Sequence, residues 1–141
     1  MALEIKKVEY FNILVDNNAG EAYELLSKFA KVGISLLAFK AIPVEHKQTQ
    51  FSLFPNDSSK MKDEAKKAGI NLDGPHAALI IKSNSDEPGE CAGIFKKLSQ
   101  VDINVSESSG IADIYDSYGV VLYLKQGDCE KALAALKGWI I

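Results

Sequence analysis

Arginine is absent from this chain of 141 residues: all 16 of its basic side chains are lysine. Arginine is the usual residue for bidentate contacts to phosphate and guanine, so its absence argues against sequence-specific nucleic-acid binding. The net charge is mildly acidic, −3. The densest basic patch, Lys60, Lys62, Lys66 and Lys67, is interleaved with Asp63 and Glu64. It reads as a solvated helix face rather than a phosphate-binding surface. Long apolar runs are missing too. None approaches the roughly 20 residues that a bilayer-spanning helix needs, so no membrane partner is expected. The first seven residues, Met1-Ala2-Leu3-Glu4-Ile5-Lys6-Lys7, lack a continuous apolar segment and do not read as a secretory signal, which makes the cytoplasm the expected location.

Cysteine is scarce. Cys91 and Cys129 are the only two, and each falls on the apolar side of an amphipathic stretch, as a buried small hydrophobe would. The alternative for Cys91 is a reactive thiolate, because it lies in a helix's first turn. Neither His46 nor His76 stands in a partner motif with it. There is no nucleophile–base pair, no metal-ligand spacing and no Gly-rich phosphate loop. Asp113, Asp116 and Asp128 are placed for turn-forming and capping roles. The chain is therefore not expected to be an enzyme, and neither a metal nor a cofactor is expected.

What the sequence does contain is an echo. Gly20 and Gly89, 69 residues apart, each open an amphipathic stretch. The apolar positions are Ala22, Leu25, Leu26, Phe29 and Val32 in the first, and Cys91, Ile94, Phe95, Leu98 and Val101 in the second. Both sets follow the i, i+3, i+4, i+7 spacing of one helix face. Two helices on one plan indicate a duplicated unit of about 70 residues.

Each copy predicts the same order of elements. In the first, Phe11, Ile13 and Val15 alternate as a strand does, and Asp16-Asn17-Asn18-Ala19-Gly20 forms a turn whose polar side chains can cap the next helix. That helix runs to about Val32 and stops at Gly33. Ile34–Ile42 is a strand ended by Pro43, Thr49–Phe54 another, and Pro55-Asn56-Asp57 starts a helix that Gly69 closes. Ile70-Asn71-Leu72 remains for a short fourth strand before Asp73-Gly74-Pro75, the expected boundary. The second copy offers a strand at Ala77–Lys82, the polar loop Ser83–Pro88 and a helix from Gly89 to about Gln100. Strands at Ile103–Ile111 and Gly119–Leu124 follow, then a helix at Asp128–Lys137 and Trp139-Ile140-Ile141 as a closing strand. The fold class is α+β: two ferredoxin-like βαββαβ units side by side, 1–73 and 74–141, with antiparallel sheets and helices on one face.

Asp86-Glu87-Pro88-Gly89, between a strand and an amphipathic helix, resembles the turn of ACT domains, small amino-acid-sensing modules with this order of elements. Asn17-Asn18-Ala19-Gly20 resembles a degenerate copy, with alanine where the family has proline. Val101-Asp102-Ile103-Asn104-Val105 and Val32-Gly33-Ile34-Ser35 are similar to the family's helix-to-strand junction. The resemblance covers the chain from about Val8 to its end. It implies a ligand site at Asn17, Asn18, Ala19 and Gly20 and at Asp86, Glu87, Pro88 and Gly89, with Asn104 at a position where some members contact ligand from a strand. The chemistry is consistent, since a glycine turn at a helix start presents free N–H groups to a carboxylate. Structural roles stand beside each assignment: Asn17 and Asp86 as helix caps, Pro88 as a helix-start residue, and Asn104, Ser106 and Ser108 as the solvated side of a strand.

The expected function is that of an amino-acid-binding regulatory protein, acting through ligand-dependent assembly or partner binding. The expected partners are a small amino acid, a second copy of the chain in a homo-oligomer (a dimer), and a separate metabolic enzyme. The alternative is a ligand-free tandem interaction module. At the offset that matches Phe11, Ile13 and Val15 the second copy shows Ile80, Lys82 and Asn84. Its strand is therefore expected to end early and leave an enlarged polar loop, and the second turn is the favoured site.

Overall fold

The computed structural model describes residues 3–84, 88–113 and 117–137. Its elements are β1 (Leu3–Asp16), α1 (Glu21–Lys31), β2 (Leu36–Val44), β3 (Gln48–Pro55), α2 (Ser58–Ala68), β4 (Asp73–Ser83), α3 (Glu90–Gln100), β5 (Glu107–Ala112), β6 (Tyr118–Tyr123) and α4 (Asp128–Leu136). The chain divides into two compact units, Glu9–His76 and Ala77–Ile141 together with Met1–Val8. We refer to them as the first and second unit.

In the first unit the strand order is β2-β3-β1-β4, the ferredoxin-like arrangement. Phe11 and Ile13 of β1 and Phe51 and Leu53 of β3 form a cluster with Leu25 and Phe29 of α1 and Met61 and Ala65 of α2. Period-2 alternation in the strands and four-residue spacing in the helices bring these eight side chains to one face of the sheet. Pro43 lies inside β2, opposite Thr49, rather than ending it. An edge strand tolerates proline because the missing N–H would point away from the sheet.

The second unit repeats the order as β5-β6-β4-β1. Its core joins Leu79 and Ile81 of β4, Val120 and Leu122 of β6, Ile94 and Leu98 of α3 and Cys129, Ala132 and Leu136 of α4. Leu3, fully buried, belongs to this same cluster.

Leu3 accounts for a difference from the expected division at 1–73 and 74–141. The first eight residues count with the second unit and supply a strand beside β4. Trp139-Ile140-Ile141, expected as that strand, lie outside the described residues. Ile70-Asn71-Leu72 is not a strand either. The Ile70 N–H donates to the Ala65 carbonyl at 2.9 Å, closing α2 behind the left-handed Gly69. Those groups cap a helix and are not available to a sheet. The strand begins instead at Asp73 and runs through Gly74-Pro75 to Ser83.

Candidate functional site

Three helices start in the same unusual way. Gly20, Gly89 and Gly127 precede α1, α3 and α4 with φ of 92°, 87° and 92°, and no side chain among the described residues caps any of the three. Only glycine adopts this left-handed geometry at little cost. The expected capping role of Asn17 is therefore corrected. Its backbone N–H donates instead to the Lys47 carbonyl at 2.8 Å, tying the turn to the β2–β3 hairpin. Asn18 lends α1 only its carbonyl, which accepts from Glu21 N–H. By contrast α2 is capped by the Asp57 carboxylate, which accepts from Lys60 N–H at 3.0 Å.

Beside the first turn the first unit holds a groove of about 670 Å³. Its lining comes from Asn12, Ile13, Leu14 and Val15 of β1, Glu21, Glu24, Leu25 and Lys28 of α1, Gln50 of β3, and the segment Gly69–Asp73. Asn17, Asn18, Ala19 and Gly20 are exposed and connect two of its walls, since Val15 before them and Glu21 after them both line it. A hydrogen-bonded chain stiffens the wall away from α1. The buried Ser52 Oγ donates to Asn12 Oδ1 at 2.6 Å, and Asn12 Nδ2 donates to Asp73 Oδ2 at 3.4 Å. His76 Nε2 lies 3.2 Å from the same Asp73 oxygen, and its ring meets Tyr10 at 5.2 Å. The hydrogen bond with His76, followed by that from Asn12, holds the Asp73 carboxyl below its ordinary 3.8.

The second unit has a different interior at the corresponding place. Sheet register fixes the correspondence: Phe11 faces Leu53, Ile13 faces Phe51 and Val15 faces Thr49, while Leu79 faces Leu122, Ile81 faces Val120 and Ser83 faces Tyr118. Ser83 is thus the counterpart of Val15, and the following turn is one residue longer than the first. The expectation that the strand ends early, with Ser83 in the loop, is corrected: β4 runs through Ser83, and Lys82 and Asn84 are exposed. Ser83 is 3% exposed and its hydroxyl donates to Glu90 Oε1 at 2.6 Å. Glu90, the first residue of α3, is 1% exposed. The Tyr118 hydroxyl is buried beside Ser83 and Glu90. Burial first, then the nearby Glu90 carboxylate, pushes its pKa up to about 12.

Sequence reasoning missed Glu90, although the signal was present: Glu90, Ile94 and Leu98 are spaced by four and share the stripe that meets the sheet. Cys91, expected on that stripe, is exposed, as is its counterpart Ala22. Cys129 is buried, as expected, and its thiol pKa is raised by burial.

Of the second turn, Pro88 and Gly89 are exposed, and Asp86 and Glu87 lie outside the described residues. Asn104 is exposed and precedes β5 rather than lying in it. It stands beyond the C-terminal end of α3 while Gly89 stands at the other, so an 11-residue helix, about 16 Å long, separates them. Ser106 is not part of a solvated strand side either, because its hydroxyl and its N–H both donate to the Tyr123 carbonyl. The junctions around Gly33 and Asp102 do match in structure. Ile34 N–H donates to Phe29 O at 3.1 Å and Ile103 N–H to Leu98 O at 3.0 Å, with φ of 81° at Gly33 and 57° at Asp102. Among the described residues no three His, Cys, Asp or Glu side chains converge as metal ligands, and no helix is long and apolar enough to cross a membrane.

A scan of protein-family models finds no match, and neither does a search of curated proteins. Solved structures do match in fold. Protein BT0572 from Bacteroides thetaiotaomicron is 18% identical, with a TM-score of 0.78 over 95% of this chain and 89% of that one. The aspartokinase alpha and beta subunits give 18% identity and a TM-score of 0.68 over 99% and 97%. The ligand-free regulatory subunit of aspartate kinase from Thermus thermophilus gives 13% identity and a TM-score of 0.65 over 98% and 96%. The α+β fold of ferredoxin-like units is thus shared with regulatory subunits across nearly their full length.

Proposed function

We propose that the chain is an amino-acid-binding regulatory protein whose ligand site is the groove of the first unit. The groove beside the Asn17–Gly20 turn carries this reading. Amides, carboxylates, one lysine and aliphatic side chains together suit a small zwitterion with an apolar or polar side chain. The Gly20 turn leads directly into α1, whose first N–H groups favour a carboxylate. The likeness to aspartate kinase regulatory subunits supports a role in controlling an enzyme. Our reading places that role in the cytoplasm and has it act through ligand-dependent assembly or partner binding. The Asn17–Gly20 turn is kept as part of this site. Asp86, Glu87, Pro88, Gly89 and Asn104 are proposed as contacts only where a second copy of the chain assembles with the first.

A thermal-shift screen against the twenty amino acids, with sizing chromatography alongside, tests the reading. A ligand at about 100 times its dissociation constant stabilises the fold by about 2.7 kcal/mol. The absence of any shift at millimolar concentrations overturns it.

A second reading has its own observation. Leu37 and Phe39 on β2 and Ile111 on β5 are exposed, at the two outermost strands of their units. Apolar edge strands suit pairing with another chain. A self-association that no amino acid alters would favour the ligand-free interaction module.

A further inference from the structure

We propose that Ser83 and Tyr118 seal the Glu90 carboxylate into the interior of the second unit, so that the chain takes one ligand, and that Glu21 is the residue that meets this ligand's ammonium group. The inference rests on the amino-acid-binding reading and deepens it.

The starting point is a triplet of equivalent positions. In the first unit they hold Val15, Thr49 and Glu21, and in the second Ser83, Tyr118 and Glu90. An α-amino acid separates its carboxylate from its ammonium group by a single carbon. A site that holds the carboxylate at a helix start therefore needs an anion close to that start. Glu21 is the first residue of α1, lines the groove and is half-exposed. Val15, facing it across the turn, offers no hydrogen bond that would draw it inward.

Glu90 holds the same place at the head of α3, yet it is 1% exposed. Two residues that differ from the first unit lie beside it. Serine in place of valine supplies a donor to the carboxylate, at 2.6 Å. Tyrosine in place of threonine adds a ring that packs on the core beside it. A carboxylate held this way is committed to the interior and withdrawn from any ligand. A buried polar group is retained where hydrogen bonds offset its lost hydration, and the Ser83 hydroxyl supplies one to Glu90 Oε1.

The test is isothermal titration of the full chain with each free L-amino acid and with its N-acetyl form, which lacks the positive charge. The expected result is one ligand per chain and no binding of the N-acetyl form. Glu21→Gln should weaken binding about tenfold or more, as loss of a charge-assisted contact does. Glu90→Gln should leave affinity within about twofold, as a change at an uncoupled site does. Two ligands per chain, undiminished binding by Glu21→Gln, or binding abolished in a folded Glu90→Gln variant overturns the seal while leaving the regulatory reading intact. Should Glu90→Gln fail to fold, the wild-type stoichiometry and Glu21→Gln decide alone. If no free amino acid binds, the regulatory reading itself fails, and this inference with it.

Discussion

The two units use one plan to opposite ends at the head of their first helices. α1 and α3 both have 11 residues, both follow a left-handed glycine, and both close through the same pair of backbone hydrogen bonds. Their first residues are both glutamate. In the first unit that carboxylate borders an open groove, and in the second it is packed against a serine hydroxyl under a tyrosine ring. Backbone geometry alone therefore does not make a site. The side chain on the neighbouring strand separates a carboxylate at a groove from one in the core.

The largest effect with which to break the comparison lies in what the units share, their separate cores. Phe29, 3% exposed, fills the first core, and Leu122, fully buried, fills the second. Phe29→Ala should cost about 3–5 kcal/mol and Leu122→Ala about 2–5 kcal/mol in denaturant unfolding. Hydrogen exchange should show faster opening within Glu9–His76 for the first variant and within the second unit for the other. Equal acceleration in both units would mean that the two cores unfold together.

Next in size is the difference itself. Ser83→Ala leaves the buried Glu90 carboxylate without its 2.6 Å donor. The expected loss is about 1–3 kcal/mol, since the buried acceptor retains its desolvation cost and loses this donor. Glu21→Gln, at a half-exposed position, should stay within about 0.5 kcal/mol. If the two changes prove equal in chemical denaturation, the contrast between the carboxylates is not energetic.

Much of the fold was legible because hydrophobic periodicity reports it directly. The four helices lie within a residue or two of their expected limits, and the 69-residue echo gave the repeated order of elements. What was not legible depended on pairing between distant residues. No local signal in Leu3 or Ile5 assigns them to a core built by residues beyond Ala77. The one-residue difference between the turns is visible only from sheet register, where the offset is 68 for Val15 and Ser83 but 69 for Thr49 and Tyr118. Without it, Ser83 read as loop rather than interior, and the favoured site fell on the second turn. The groove itself was hidden because its walls come from four stretches separated in sequence.

Helix starts give a smaller contrast. The Asp57 carboxylate caps α2, whereas Asn17 caps nothing. Asp57→Ala should cost about 1 kcal/mol and Asn17→Ala only a few tenths. Far-ultraviolet thermal melts of the two variants measure both. A full cap-sized loss at Asn17 would restore the capping role that the left-handed Gly20 displaces.

Titration supplies the contrast that least disturbs the fold. Tyr118, half-buried with its hydroxyl beside Glu90, has its pKa pushed up to about 12 against an ordinary 10. The neutral phenol is thus the form the fold favours. Its contribution to stability is present below pH 10 and is lost as pH rises from there through about 12. Ultraviolet difference titration should show a tyrosine component that ionises late, and Tyr118→Phe should remove that component. Asp73 in the first unit shifts the other way. The hydrogen bonds with His76 and from Asn12 favour its charged form, so their contribution is present above 3.8 and fades as pH falls through the lower folded value. Because the Asp73 side chain is largely exposed, the effect on stability is small and best read by carboxyl NMR shifts. His76→Ala should move Asp73 back toward 3.8, and Asn12→Ala should move it less. An Asp73 that does not respond to His76 would remove the electrostatic link between that ring and the groove wall, leaving the first unit's site to depend on Glu21, Glu24 and Lys28 of α1.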